Sequence, residues 1–192
     1  MSRKDTLKKI VVEFVSVVFA VLLALGLNHW REDIAEKKLA RKALRNIIVE
    51  IKSNIKSLSD VRLENEEKIV ELRKTASQIK SGEENDYSIG YNHPIMSNSA
   101  WTIANSTGAI KDMDLDMVLE LSELYIFQDM FQDNGFTYFK VISSPGYRTS
   151  DLAAVESLIA QYEASQQFGT GLKNGLENFL ETYKGEIEEV MN

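Results

Sequence analysis

The side chains of this protein that could do chemistry are few and scattered. There is no Cys, which excludes thiolate nucleophiles and zinc sites built on Cys. The two histidines, His29 and His93, have no second histidine at metal-ligand spacing. A phosphate-binding glycine loop, a dinucleotide fingerprint and a Gly-x-Ser-x-Gly motif are also missing. We therefore predict that the protein is not an enzyme, and we assign no catalytic residue, cofactor site or metal ligand.

The run Asp112-Met-Asp114-Leu-Asp116 comes nearest to a metal site. It is similar to the start of a calcium-binding loop, but it lacks the glycine and the final bidentate Glu that such a loop requires. Aspartates that open a helix are expected from capping and from the helix dipole. We interpret these residues as the start of a helix.

One carboxylate lies inside the long apolar run near the start of the chain. Residues 10–27 carry a single charge, on Glu13. As a helix, this run would be about 27 Å long, close to the hydrocarbon thickness of a bilayer. We predict a basic tail over residues 1–9 and a transmembrane helix over residues 10–29.

The residues on either side of the run support a membrane anchor. Lys8 and Lys9 precede it, and Trp30 and Arg31 follow it as interface anchors. A cleaved signal peptide is the alternative, because small residues lie near Ala24, but no Ala-x-Ala site follows. We favour a retained single-pass anchor in the inner (plasma) membrane, with the lipid bilayer as its surroundings.

Five residues of the predicted transmembrane helix share one face, and Val, Phe and Leu dominate the others. They are Glu13, Ser16, Ala20, Ala24 and Asn28, spaced by 3, 4, 4 and 4 residues. We call this set the stripe. Small residues at this spacing let helix backbones approach, and polar ones hydrogen-bond across the contact. We predict that the stripe packs against another transmembrane helix, from a second copy or a different protein. Two alternatives remain: Glu13 snorkels to the headgroups, or it lines the pore of a channel subunit.

The same segment resembles a large bacterial family of uncharacterised single-pass membrane proteins. The resemblance rests on Glu13…Ala24-Leu25-x-x-Asn28-x-Trp30-x-Glu32 and covers residues 8–60 well. It implies an apolar helix followed by a long charged helix. Val12 and Ala20 stand where the family usually has Gly. Because the function of that family is unknown, the resemblance bears on topology and architecture alone.

Charge is distributed unevenly along the chain. Residues 1–80 have 17 Lys and Arg against 11 Asp and Glu, whereas residues 81–192 have 5 against 18. Most of the chain would repel phosphates, so we predict no nucleic-acid binding. Four cations before the apolar run compete with six soon after it for the cytoplasmic side. The short N-terminal tail is the harder part to translocate, so we favour an extracytoplasmic soluble part over a cytoplasmic one.

After Trp30 the chain has no Gly or Pro until Gly82, so the helix can run on from the membrane. A heptad seam follows, which consists of Leu44, Ile48, Ile51, Ile55, Leu58, Arg62, Asn65, Ile69, Leu72, Ala76 and Ile79. Arg62 and Asn65 interrupt its apolar character. We favour burial of the seam in an intramolecular bundle over self-association as a coiled coil.

The predicted fold is all-α, with a transmembrane helix that continues into a long coiled-coil-like helix packed in an antiparallel helical bundle. The soluble bundle covers residues 30–192, with the long helix to about residue 80, a loop over 81–96, and helices over about 98–106, 114–142 and 150–190. Three glycines near the middle of the last helix, Gly169, Gly171 and Gly175, suggest a kink or a close contact.

The function that these patterns favour is assembly rather than catalysis. We predict a membrane-anchored interaction or scaffold protein, whose acidic last helix is a second surface suited to a basic protein partner. A ligand-sensing bundle is the alternative, with Trp101, Tyr125 and Phe131 around a cavity, although aromatic core is the simpler interpretation of these residues. A pore subunit that uses Glu13 is the second alternative.

Overall fold

The computed structural model describes residues 3–83, 92–143 and 151–192, with side chains from Glu13 onward. The described residues are mostly helical and contain no strand. The elements are α1 (Arg3–Ser81), α2 (Ser99–Ser106), a short 3-10 helix (Ala109–Asp112), α3 (Leu115–Ile142), α4 (Leu152–Thr182) and α5 (Lys184–Met191). The predicted all-α bundle with a long N-terminal helix is confirmed.

Helix α1 is continuous from the apolar run to the far end of the bundle. It ends where the sequence first supplies a glycine in the left-handed region, since Gly82 has a φ of 77°. The N–H of Glu83 donates to the carbonyl of Gln78, and that of Gly82 donates to Ile79, each at 3.1 Å. This is the Schellman arrangement that satisfies the last carbonyls of a helix.

Helices α4 and α5 run antiparallel to α1. Lys80, near the end of α1, pairs with Glu156 in the first turns of α4 at 2.9 Å. Arg41, much nearer the apolar run, pairs with Glu189 in α5 at 2.8 Å. The chain therefore returns along α1, and its C-terminal end lies beside the start of the bundle.

Helix α3 runs parallel to α1, because Tyr125 bonds to Glu50 and Gln128 to Asn54 in the same order along both helices. The segment between them must therefore travel back along α1. Residues 92–98 do this without regular secondary structure, since Asn92 bonds to Glu64 and Ser97 to Glu50, and α2 and the 3-10 helix complete the return. We call residues 92–98 the strap.

The heptad seam is covered by the protein's own helices. Its buried apolar members are Leu44, Ile48, Ile51, Leu58, Ile69, Leu72 and Ala76. Of its two polar members, Asn65 is buried at 2% exposure, whereas Arg62 is exposed and pairs with Glu66 at 3.4 Å. The prediction that the seam lies inside a bundle is confirmed.

The C-terminal part differs from the predicted single helix of residues 150–190. It consists of two helices with a break at Tyr183. The glycines do not interrupt α4. A Cβ at Gly175 would lie 2.9 Å from Leu124 Cδ2, and one at Gly169 would lie 3.5 Å from Phe131 Cζ. Close packing of α4 on α3 explains Gly175, whereas the distance at Gly169 is an ordinary van der Waals contact and the structure gives no reason for a glycine there. Residues 144–150 lie outside the described residues, as does the loop over residues 84–91.

Truncation of a seam residue should destabilise the bundle far more than truncation of its exposed neighbour. Ile48 is fully buried and Val49 is 54% exposed. We expect Ile48→Ala to lower the free energy of unfolding by about 2–5 kcal/mol, because it removes buried methylenes and leaves a cavity. Val49→Ala should change it by less than about 0.5 kcal/mol. Denaturant titration of the full chain in detergent, followed by circular dichroism, measures both, and equal losses would contradict the described core.

Candidate functional site

The part of α1 that precedes the bundle is not covered by the other residues that the structure describes. Every residue from Glu13 to Glu32 is exposed, including Phe14 at 67% and Leu22 at 61%. Among the described residues, one helix is long and apolar enough to cross a membrane, and none of its apolar window is buried. We call residues 13–27 the apolar segment. A core helix of a soluble bundle would be buried, so this segment is not part of the described core, and exposed apolar surface of this kind is typical of an interaction or membrane-contact site.

The stripe faces away from the bundle. All five of its residues are exposed. Ala24 precedes the buried residue Ala40 by 16 positions of an unbroken helix. At about 100° per residue, the two lie about 160° apart around the axis. A second helix can therefore reach the stripe without meeting the described part of the bundle.

Asn28, at the C-terminal end of the stripe, forms a hydrogen bond within α1. Asn28 Nδ2 donates to Glu32 Oε1 at 2.6 Å. Trp30 is 61% exposed, and Arg31 beside it is also exposed. The stripe and the two interface anchors thus lie on one helix with the geometry that the sequence indicates. Their packing and anchoring roles stay predictions.

The fold brings acidic residues back to the basic flank of the apolar segment. Lys37 Nζ pairs with Asp33 at 2.9 Å, and this hydrogen bond raises the pKa of the Lys37 amine. Arg41 pairs with Glu189 of α5 at 2.8 Å. Such exposed pairs contribute little to stability because solvent screens them. These pairs matter because they change the local charge. The carboxylates of the C-terminal segment partly neutralise the cations that follow Trp30.

A buried carboxylate lies on the bundle-facing side of α1. Glu50 is 8% exposed and accepts hydrogen bonds from the Tyr125 hydroxyl at 2.8 Å and the Ser97 hydroxyl at 2.6 Å. The backbone N–H groups of Ala100 and Trp101 also donate to it, at 2.9 and 3.5 Å. These two N–H groups open α2, whose own N-cap residue makes no side-chain bond. Glu50 therefore caps α2 from another helix.

Two buried amides continue this polar cluster. Asn54 Nδ2 donates to the Ser97 carbonyl at 2.8 Å and to Gln128 Oε1 at 3.0 Å. Asn54 Oδ1 accepts from the Ser97 N–H at 3.0 Å, and Gln128 Nε2 donates to the Ser97 carbonyl at 3.0 Å. The strap is thus held by α1 on one side and α3 on the other. This arrangement fixes the strap and both helices to one another.

Sequence reasoning missed this cluster. Glu50 and Asn54 lie four residues apart between seam positions, and one signal was available: both are polar residues beside the apolar side of α1. Their partners on the strap could not be inferred, because a segment without regular secondary structure carries no periodicity that gives its register.

The cluster is suited to holding the fold rather than to proton transfer. The indole of Trp101 stacks on the Tyr125 ring with centroids 5.4 Å apart. Burial, followed by the hydrogen bond to Glu50, raises the pKa of Tyr125 far above its ordinary value. The hydroxyl therefore stays protonated, and it acts as a permanent donor to the carboxylate.

The interior offers little room for a ligand. Two cavities that Phe131 lines have volumes of about 20 and 40 Å³, enough for a water molecule. Trp101 and Tyr125 line neither of them. In the part of the chain that the structure describes, no group of three or more His, Asp or Glu side chains is placed to hold a metal. Asp114 caps α3 by accepting from the Met117 N–H at 3.1 Å, as the sequence indicates.

The environment of His93 predicts a pH dependence of the stability of the bundle. Its ring packs against Phe131 with centroids 4.5 Å apart and occupies the space that a methyl group at Gly135 would fill. Burial lowers the pKa of His93 below 6.5, and the lining of the adjacent cavity has no charged residue. The folded state therefore favours the neutral imidazole. This preference for the neutral imidazole stabilises the folded state fully above pH 6.5. The stabilisation declines as the pH falls from there toward the folded-state pKa of His93.

We expect the full chain to lose stability between pH 7.5 and 5.5, in part through protonation of His93. His93→Gln should reduce that loss. The comparison uses the slope of the unfolding free energy against pH, so a lower overall stability of the variant does not affect it. His29→Gln is the control, since His29 is exposed on α1 before the bundle. Denaturant titrations at several pH values give the slopes, and an unchanged slope in His93→Gln would contradict the described environment.

Loss of the Glu50 charge should weaken the bundle although the side-chain shape is kept. In Glu50→Gln an amide NH₂ replaces an acceptor oxygen, and the backbone N–H groups at the start of α2 cannot turn away from it. We expect a loss of about 1–3 kcal/mol in unfolding free energy.

Glu67→Gln is the matched control, because Glu67 is exposed on the same helix. It should change the unfolding free energy by less than about 0.5 kcal/mol. Chemical unfolding of the two variants in one detergent makes the comparison, and a neutral Glu50→Gln would show that the cluster does not hold the strap.

Comparisons with known proteins do not assign the chain to a family. No family model matches the chain, and no curated protein or solved structure matches it either. The resemblance of residues 8–60 to the single-pass family stays a prediction.

Proposed function

We propose that this protein is a single-pass membrane protein that works by assembly. In this proposal the apolar segment crosses the bilayer, and the stripe packs against a transmembrane helix of another chain. The observation that carries the proposal is the contrast along α1. The seam is covered by the protein's own helices, whereas the apolar segment is exposed around its whole circumference. Lipid covers the Val, Phe and Leu faces, and a partner helix covers the stripe.

The direction of the stripe supports a partner that approaches from outside the bundle. Lys42 follows Ala24 by 18 residues, which is five turns, and therefore lies on the same line of α1. Arg31 follows Glu13 by the same interval. Both cations are exposed. A parallel second copy would place like charges opposite one another, so the charges favour a different protein with carboxylates at this level.

The proposed orientation has the N-terminus in the cytoplasm and the bundle outside it. Arg3, Lys4, Lys8 and Lys9 precede the apolar segment, and positive residues beside a transmembrane helix favour the cytoplasmic side. The cations after Trp30 oppose this orientation, but α5 brings Glu189 against one of them, Arg41. The membrane in this proposal is the inner (plasma) membrane.

Photocrosslinking in native membranes tests the partner face directly. A photoreactive amino acid at Ala20 or Ala24 should capture a protein in high yield, because these residues lie in the proposed contact. The same amino acid at Leu22 or Gly26 faces the opposite side of α1 and should react mainly with lipid. Mass spectrometry identifies the product. Equal protein yields from both faces would contradict the proposal, and a product of twice the chain mass would identify a second copy as the partner.

Bulk added to the stripe should reduce the assembly. Ala20→Leu with Ala24→Leu keeps the segment apolar but blocks close approach of a helix. We expect the fraction captured from a photoreactive group at Asn28 to fall at least about fivefold, which corresponds to a loss of about 1 kcal/mol.

Val18→Leu with Gly26→Leu is the control, because it adds similar bulk on the opposite face and Gly26 has open space around it. Capture should be unchanged in this variant. Glu13→Gln separates packing from charge: it keeps a hydrogen-bonding group, so capture should persist. A loss in Glu13→Gln with none in the double Leu variant would favour a role for the charge of Glu13 over helix packing.

A further inference from the structure

A groove lies at the end of the bundle that is nearest to the apolar segment. Its volume is about 590 Å³, in the range of small-ligand sites and far above that of the two interior cavities. Helix α1 bounds it on one side, and the 3-10 helix, the start of α3 and α5 bound it on the other. None of the stripe residues lines this groove.

The groove is close to the level at which a bilayer would end. Its first lining residue, Ile34, follows Trp30 by four residues, which is about 6 Å along the helix. Side chains of a helix lean toward its N-terminus, so Lys37 and Lys38 lean toward the apolar segment. If that segment crosses the bilayer as proposed, the groove opens at the lipid headgroups.

The two sides of the groove carry opposite charges. The cations are Lys37, Lys38 and Arg41 on α1, and the carboxylates facing them are Asp112, Asp114 and Glu186. The two sides line one groove, and Asp112 makes a small contribution, after Asp33, to the raised pKa of Lys37. Among the described residues, no ion pair joins the two sides, since Lys37 pairs with Asp33 and Arg41 with Glu189.

The floor between these charges is apolar. Leu44, Met113, Met117 and Val190 line it. An occupant that fits needs a hydrocarbon part for the floor and a head with one positive and one negative group. A soluble phosphate lacks the first, and an anionic lipid would meet the carboxylates without a cation to offer them.

We infer that the groove binds one phospholipid with an ethanolamine headgroup. The phosphate lies toward Lys37, Lys38 and Arg41, and the ammonium lies toward the carboxylates of Asp112 and Glu186. An ammonium group donates hydrogen bonds to carboxylates, which a choline headgroup cannot do. The inference rests on the proposed membrane anchoring and goes beyond it by naming a lipid class for a specific site.

Competition between lipids tests the inference on the full chain. Protein extracted from membranes in mild detergent is incubated with equal amounts of phosphatidylethanolamine, phosphatidylglycerol and phosphatidylcholine with the same acyl chains. Native mass spectrometry then counts the lipid that each chain retains. We expect phosphatidylethanolamine to be retained about fivefold over each of the others, the factor that one favourable charge contact near a surface contributes.

Variants of the two sides should change the preference in different ways. Asp112→Asn with Glu186→Gln removes two carboxylates, so retention of phosphatidylethanolamine should fall and that of phosphatidylglycerol should rise above it. Lys38→Gln should lower the retention of both. All three residues are exposed, so the bundle should keep its helical circular dichroism. Glu67→Gln with Lys74→Gln changes exposed charges of α1 outside the groove and should retain the wild-type preference.

Equal retention of the three lipids by the wild type, a preference for phosphatidylglycerol, or groove variants that behave like the control would overturn the inference. Alkaline carbonate extraction distinguishes this failure from failure of the anchoring. A chain that stays in the membrane pellet but shows no lipid preference rejects the groove alone. Release of the chain into the supernatant rejects the anchoring, and the inference with it.

Discussion

The rest of the structure depends on one constraint, the continuity of α1. No Gly or Pro lies between Gly26 and Gly82, so its hydrogen-bond ladder runs without a break from the apolar segment through the bundle. Glu50 and Asn54 then lock the strap and α3 to this helix through buried hydrogen bonds. One continuous helix therefore connects the apolar segment to the polar cluster that holds the strap and α3.

Charge is organised differently in the fold and in the sequence. Along the chain, a basic first part precedes an acidic second part. The antiparallel return of α4 and α5 removes much of that separation, because it places Glu186 and Glu189 beside the cations of residues 37–41. The result is a mixed-charge surface at the end of the bundle nearest to the apolar segment. Docking of a basic partner on the acidic last helix stays a prediction.

Features that follow from periodicity were predictable, and features that follow from long-range register were not. The 4,3 spacing from Leu44 to Ile79 predicted the buried side of α1, and Asp114 and Gly82 marked the start and the end of helices. Asn65 was correctly placed in the seam, yet the spacing could not show that Arg62 turns outward. The role of Glu50 depends on a strap more than 40 residues away, which no local pattern indicates. The sequence predicts which residues share the face of the stripe, and the structure shows that this face points away from the bundle.

Accessibility of single spin labels along α1 tests the central claim, which is that lipid and one partner helix cover the apolar segment. The chain has no Cys, so one introduced Cys at each position from 13 to 30 reports on that position alone. In native-like bilayers we predict that oxygen accessibility exceeds that of a water-soluble relaxant near Phe19 and falls toward both ends. We also predict lower oxygen accessibility at Ala20 and Ala24 than at Leu22 and Gly26. High accessibility to the water-soluble relaxant throughout the segment would contradict the account.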